Sequence, residues 1–290
     1  MCQFLSGFGT KTGDIICNPI IDSHSELEYY YHIHDNYIQH SFKWEYTPKA
    51  DKTIFDVTEY EFKIDENREP DWLTPELKST IEKKAHQKLL SIFHKDEKDL
   101  RLLNEVAILD NCEVGTIKNT VIKAMRNSTI SKMRENSIVF EMRENSSISQ
   151  MRENSIVFEM RENSIISQMR ENSIVSQMWE NSSIFEMREN SIVSQMWENS
   201  IVSKMWGNSI VSQMWENSIV SQMWGNSIVS KMRENSSISK MRENSIVSQM
   251  WGNSSVSEMW ENSIISKMRE NSSVKFQTEN NLKNGKKLTK

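Results

Sequence analysis

At 290 residues, with a net charge of −5 and a pI near 5.8, the chain has room for one large domain or two ordinary ones and lacks the basic balance that nucleic-acid binding demands. No run of about 18 apolar residues occurs, so no membrane-spanning helix is expected, and the opening Met1–Gly9 stretch has no basic region of a secretory signal. Cys2, Cys17 and Cys112 are odd in number and lack metal-ligand spacing, which suits reduced thiols in a cytoplasm.

Residues 1–105 read as a small α+β domain. "CQFLSGFGTKTGDIIC" predicts a hairpin around Lys11-Thr12-Gly13-Asp14, and "SFKWEYTP" and "YEFKID" predict further strands. A helix is expected after Thr74 as N-cap, with Pro75 at its first position and Glu76 next. Ile81, Ala85, Leu89, Leu90 and Phe93 recur at its spacing. Such a domain is able to cover the first coil of whatever follows.

From about Ile108 the text turns periodic. Methionine recurs every nine residues from Met133 to Met268, sixteen copies in register, preceded by degenerate copies at Asn111, Asn119 and Asn127. In a helix nine residues make 2.5 turns, so successive methionines would point to opposite sides. "SIVS" suits a strand, and "ENS" or "GNS" suits a turn. One unit cannot bury its own apolar face, but stacked copies can. The fold class is therefore mainly β: a parallel β-solenoid of two nonapeptides, about 18 residues, per coil, capped by the small N-terminal α+β domain. It spans 106–276, and 277–290 reads as a disordered polar and basic tail. Sixteen units make eight coils, roughly 38 Å at about 4.8 Å each.

The repeating unit has methionine at position 1, arginine or tryptophan at position 2, glutamate or glycine at position 3, asparagine at position 4 and serine at position 5. Isoleucine or serine follows at position 6, isoleucine or valine at position 7, and variable residues at positions 8 and 9. Positions 1 and 7 should form core ladders, with the serine of position 5 on the same side of the strand as position 7. The asparagine of position 4 should stack in the turn, its amides bonding backbone from coil to coil. Arginine at position 2 beside glutamate at position 3 suggests a self-neutralising surface ladder. If position 7 faces in, position 6 faces out. The candidate contact surface is then Trp179, Trp197, Trp206, Trp215, Trp224, Trp251 and Trp260 with Ile192, Ile201, Ile210 and Ile219. The alternative is a flattened coil in which position 6 is partly buried.

Other chemistry is thinly represented. His32 and His34 would share one face of a strand, with His24, Asp35 and His40 nearby in sequence, but a tyrosine-rich surface segment explains them as well, and no metal site or cofactor is expected. Asp22-Ser23-His24 is too local for a hydrolytic triad. Gly7 and Gly9 lack the rest of a phosphate loop. Between residues 133 and 276 nine Arg and five Lys oppose seventeen Glu, so no positive groove forms. No small-molecule substrate is identified.

The series Met1-Cys2-x-Phe4-x-Ser6-Gly7, Asp22-Ser23-His24, Glu45-Tyr46-Thr47-Pro48 and Asp71-Trp72, followed by Asn-Ser-x-[Ile/Val] nonapeptides, resembles a group of bacterial and bacteriophage proteins of unassigned activity. The repeat is also broadly similar to β-solenoid repeat proteins, although its period of nine departs from that of pentapeptide solenoids. The resemblance implies a bacterial or phage setting and a β-helical C-terminal half. The expected function is a non-enzymatic structural or interaction protein that binds a protein partner or itself, with a homodimer through the C-terminal coil. The alternative is a phage-encoded effector that binds and inhibits a host protein. More remote is an N-terminal-cysteine hydrolase, in which removal of Met1 would free Cys2 as a nucleophile.

Overall fold

The computed structural model describes residues 5–33, 40–277, 282–283 and 286–287. Contacts divide the chain into two compact units, one of residues 1–94 with 106–108 and one of residues 95–105 with 109–290.

In the first unit β1 (Leu5–Thr10), β2 (Ile15–Cys17), β3 (Ser41–Pro48) and β4 (Tyr60–Ile64) form an antiparallel sheet in the order β2-β1-β3-β4. The expected hairpin is present, and Gly13 supplies its positive φ of 80°. Phe42, Trp44 and Tyr46 alternate onto one face of β3. A short helix, α1 (His24–Tyr30), precedes β3, and a longer one, α2 (Pro75–Leu90), follows β4. The β3 face meets α2, whose Ile81, Ala85 and Leu89 are buried. Gly7 and Gly9 lie opposite Trp44 and Phe42 because the rings occupy the side-chain space. A Cβ at Gly7 would meet the Trp44 ring at 2.6 Å, and one at Gly9 the Phe42 ring at 2.7 Å. Thr74 caps α2 as expected, its hydroxyl accepting from the Leu77 N–H at 3.2 Å. The helix stops sooner than its apolar spacing suggests: Leu90 is exposed and Phe93 opens a strand.

On the other sheet face Phe8 packs with Leu27 and Ile33. Leu27 belongs to α1, a helix that its run of tyrosines conceals in the sequence. Ser23 is its N-cap, which gives the Asp-Ser-His motif a local structural role. Tyr29, Tyr30 and Tyr31 are exposed. His32 sits in the following turn at φ 54°, not on a strand, and His34 and Asp35 lie outside the described residues.

The second unit is a β-solenoid. Successive strands alternate between an eleven-stranded sheet, from Leu100–Leu103 to Ser273–Gln277, and a thirteen-stranded sheet that begins at Phe93–Lys95. Strands two units apart pair in parallel with an 18-residue offset, as Ile192 with Ile210 and Val202 with Val220. From Met133 to Ile265 the side chains of positions 1, 5 and 7 are fully buried, so each coil gathers two Met and two Val or Ile. Each such apolar side chain contributes about 1.5–3 kcal/mol on leaving water. Methionine's flexible thioether fills the remaining gaps. Leu282–Lys283 and Lys286–Lys287 form two short strands at the end of the thirteen-stranded sheet, and most of the expected tail lies outside the described residues.

Each copy turns a corner over positions 2 to 5. The serine N–H of position 5 closes it on the position 2 carbonyl, as Ser146 to Arg143 at 3.1 Å. Position 3 has a positive φ of 44–69° in all sixteen copies. Where the following asparagine is also left-handed, as at Asn145 and Asn163, the corner has the sign pattern of a type I′ turn. Where it is not, as at Asn208, Asn226 and Asn253, the pattern is that of type II′, which favours glycine first. Gly207, Gly225 and Gly252 occupy that first place in those three copies. Glutamate and glycine thus exchange at position 3 for a backbone reason. The degenerate copies follow the same logic. Met125-Arg126-Asn127-Ser128 lacks the glutamate, has Asn127 alone left-handed, and shortens its coil: Thr129 pairs Glu113 across 16 residues, then Ile138 pairs Val121 across 17.

The corners also stack. The Asn145 N–H donates to the Glu162 carbonyl at 3.0 Å, and Glu243 Oε2 accepts from the Gly225 N–H at 2.7 Å. The asparagine ladder differs from expectation. On one edge the amides bond one another, Asn172 to Asn154 at 3.3 Å and on through Asn190, Asn208, Asn226 and Asn244 to Asn262, instead of bonding backbone. We predict that Gly225→Val destabilises the array by about 1–3 kcal/mol through left-handed strain, compounded by a Cβ only 3.0 Å from the Gly207 nitrogen. Glu216→Gly should be neutral or slightly stabilising. Urea denaturation followed by circular dichroism distinguishes them.

Candidate interaction surface

Alternation between two sheets sorts the position 2 residues onto two edges. One edge follows the thirteen-stranded sheet and carries Arg161, Trp179, Trp197, Trp215, Arg233, Trp251 and Arg269 in successive coils. The other follows the eleven-stranded sheet and carries Arg188, Trp206, Trp224, Arg242 and Trp260. Trp197, Trp206, Trp215 and Trp224 are adjacent copies in sequence but belong to two columns in space.

On the first edge Trp179, Trp197 and Trp215 stack with centroids 4.9–5.1 Å apart and planes 5–6° from parallel. Arg233 continues the column, its guanidinium 4.5 Å from both Trp215 and Trp251. Arginine and tryptophan interchange here because each offers a flat face to the next coil. The tryptophans are consequently half-buried, not open to solvent. Position 9 completes the column. Where it is glutamate, the arginine of position 2 reaches back to it, as Arg143 to Glu141 at 2.7 Å and Arg188 to Glu186 at 2.6 Å. Where it is glutamine, two indoles donate to it, Trp179 to Gln177 at 3.4 Å and Trp215 to Gln213 at 3.2 Å. These arginines therefore pair with position 9 and not with the neighbouring glutamate of position 3, whose carboxylate serves the turn. Trp260 donates to Glu258 at 3.0 Å, and that bond, with Lys240 beside it, holds the Glu258 carboxyl below its ordinary range.

The second edge is irregular at one place. Trp206 and Trp224 meet at 3.6 Å but 69° from parallel. Beside them a cleft of about 680 Å³ is lined by Arg188, Glu189, Asn190, Trp206, Gly207 and Asn208. The glycines Gly207 and Gly225, in successive coils, remove the glutamate side chains that cover this edge elsewhere. The buried indole nitrogens of Trp206 and Trp224 have no hydrogen-bond partner.

Position 6 also divides. On the thirteen-stranded sheet it is isoleucine in eight coils running from Ile138 to Ile264, including Ile192 and Ile210. On the other sheet Ile201 and Ile219 stand together, but serine interrupts the column elsewhere. All four candidate isoleucines are half-buried, as the flattened-coil alternative expects, and column neighbours provide cover. Ile165, between Ser147 and Ser183, is 44 % exposed.

The remaining chemistry is sparse. Cys2 lies outside the described residues. Burial pushes the Cys17 thiol up to about 11, against a smaller opposing effect of Lys88, and raises Cys112 too, so neither is a ready nucleophile near neutral pH. His24, Glu45 and Asp65 converge in the first unit. Among the described residues no helix is long and apolar enough to cross a membrane.

Trp197→Ala should cost about 1–3 kcal/mol, since it breaks two aromatic pairs worth about 0.5–1.5 kcal/mol each. Trp197→Arg, which would stand between two indoles as Arg233 does, keeps the stack and should shift stability by less than about 0.5 kcal/mol. Thermal melts of the two variants test the column. Alkylation of Cys17 by iodoacetamide should be slow at neutral pH and keep rising with pH until about 11, because a raised pKa keeps the thiol mostly protonated below it; mass spectrometry across a pH series reads the rate.

Comparison with protein-family models, with curated proteins and with solved structures finds no match.

Proposed function

We propose that the protein is a non-enzymatic structural and interaction protein whose solenoid joins a second copy of itself through its C-terminal coil. The observation that carries this reading is the open end of the eleven-stranded sheet. Its last strand, Ser273–Gln277, has a neighbouring strand on one side alone among the described residues. In the coil before it Val256 and Met259 are fully buried, whereas Val274 is half-exposed and Phe276 is 48 % exposed. A strand edge with uncovered apolar side chains favours pairing. Two such edges related by a twofold axis complete one another with the same surface. A second reading, favoured by the cleft at Trp206, is capture of a protein partner whose side chain fills that cleft. In a bacterial or phage setting that partner would be a host protein.

Sedimentation velocity tests the first reading. The wild-type chain should show a concentration-dependent dimer, and Val274→Lys with Phe276→Lys should be monomeric with an unchanged circular dichroism spectrum. Trp206→Arg with Trp224→Arg should remain dimeric. A wild-type chain that stays monomeric throughout the micromolar range ends the self-association reading. Loss of the dimer in the tryptophan variant alone moves the interface to the cleft.

A further inference from the structure

We propose that His24, Glu45 and Asp65 bind a divalent transition-metal cation, Zn²⁺ or Mn²⁺ being the natural probes. One ligand atom from each lies within 4.8 Å of the other two. Donors about 2.0–2.2 Å from a tetrahedral ion are about 3.3–3.6 Å apart, so closure needs shifts of about 1 Å. One imidazole and two carboxylates form a borderline donor set with room for water or a further ligand.

Both ring nitrogens of His24 face an acceptor. Its Nε2 is 3.1 Å from the Trp44 carbonyl oxygen and its Nδ1 is 3.1 Å from Asp65 Oδ2. Both neighbours are acceptors, yet a neutral imidazole has a single N–H. If Nε2 donates to Trp44, the Nδ1 lone pair faces a carboxylate lone pair at hydrogen-bond distance. Either a second proton or a metal ion relieves that opposition. The carbonyl contact is also the outer bond that commonly fixes a ligating histidine.

Three observations favour the metal. The Glu45 carboxylate is half-buried and has no hydrogen-bond or ion-pair partner among the described residues. The lysines flanking it on the same sheet face are engaged elsewhere, Lys43 with Glu28 at 3.0 Å and Lys63 with Glu61. Ser6, directly across from Glu45 in the β1–β3 pair, is fully buried with its hydroxyl unpartnered. Paired residues project to the same face, and Phe8, two residues along β1, touches the His24 ring with centroids 5.6 Å apart. The unpartnered Ser6 hydroxyl therefore lies on the sheet face that carries Glu45 and His24, where a metal-bound carboxylate or water would be its partner.

The test is isothermal titration of the EDTA-stripped full chain with ZnCl₂, with Co²⁺ absorption as a second readout. One ion should bind per chain, and the Co²⁺ spectrum should lack a thiolate charge-transfer band. Glu45→Gln and Asp65→Asn, both isosteric, should abolish that binding, and Ser6→Ala should weaken it about tenfold. His86→Gln should leave it intact, because His86 is occupied by the Tyr46 hydroxyl at 2.9 Å. Failure of the wild-type chain to bind, or undiminished binding by folded Glu45→Gln, overturns the proposal.

Discussion

Everything in the array depends on a corner made with the wrong hand of backbone. Every nine residues the chain must leave one sheet and enter the other within four residues, and in all sixteen copies it does so with position 3 at positive φ. That conformation disfavours ordinary side chains by about 1–3 kcal/mol. The corner tolerates it because adjacent corners bond: asparagine N–H to glutamate carbonyl, glutamate carboxylate to turn N–H, amide to amide. The strain is local, its compensation lies between coils, and an isolated unit would have the first without the second. This is the physical content of a solenoid.

The columns on the two edges follow from the same stacking. Once coils repeat at 18 residues, each surface side chain sees its counterparts immediately above and below. Tryptophan on tryptophan, guanidinium on indole and isoleucine on isoleucine are then contacts along the solenoid axis, and they cover side chains that alternation alone would expose. The cleft beside Trp206 and the end at Ser273–Gln277 are the two places where this mutual cover fails, one because glycine replaces glutamate and the other because no further described strand follows in that sheet.

Much of this was legible in the text. The nine-residue period excluded a helix, positions 1 and 7 declared the core because they were always apolar and scarcely varied, and position 5 followed from its place two residues before position 7 on the strand. Thr74-Pro75 announced α2. Less legible was anything that depends on the third dimension. Sequence proximity grouped Trp197 with Trp206, although the coil separates them. The pairing of Arg188 with Glu186 was hidden behind the nearer Glu189. The helix α1 was obscured by polar and aromatic residues that cover only one buried leucine. The convergence of His24, Glu45 and Asp65 links a helix start to the middle of one strand and the end of another, with no spacing to advertise it. The glycine–glutamate exchange at position 3 was the one signal in plain view that pointed to left-handed turns.

The two-unit coil has a consequence for how such a chain changes over generations. Its coding sequence is a tandem array, in which copying errors add or remove whole units. Gain or loss of two units leaves every downstream residue on its own sheet and edge. Gain or loss of one transfers all of them to the opposite side, so that the unbroken isoleucine column from Ile138 to Ile264 would continue as the serine-interrupted one. Even and odd events are therefore not equivalent to the folded molecule. A column that persists through eight coils is what growth by pairs preserves.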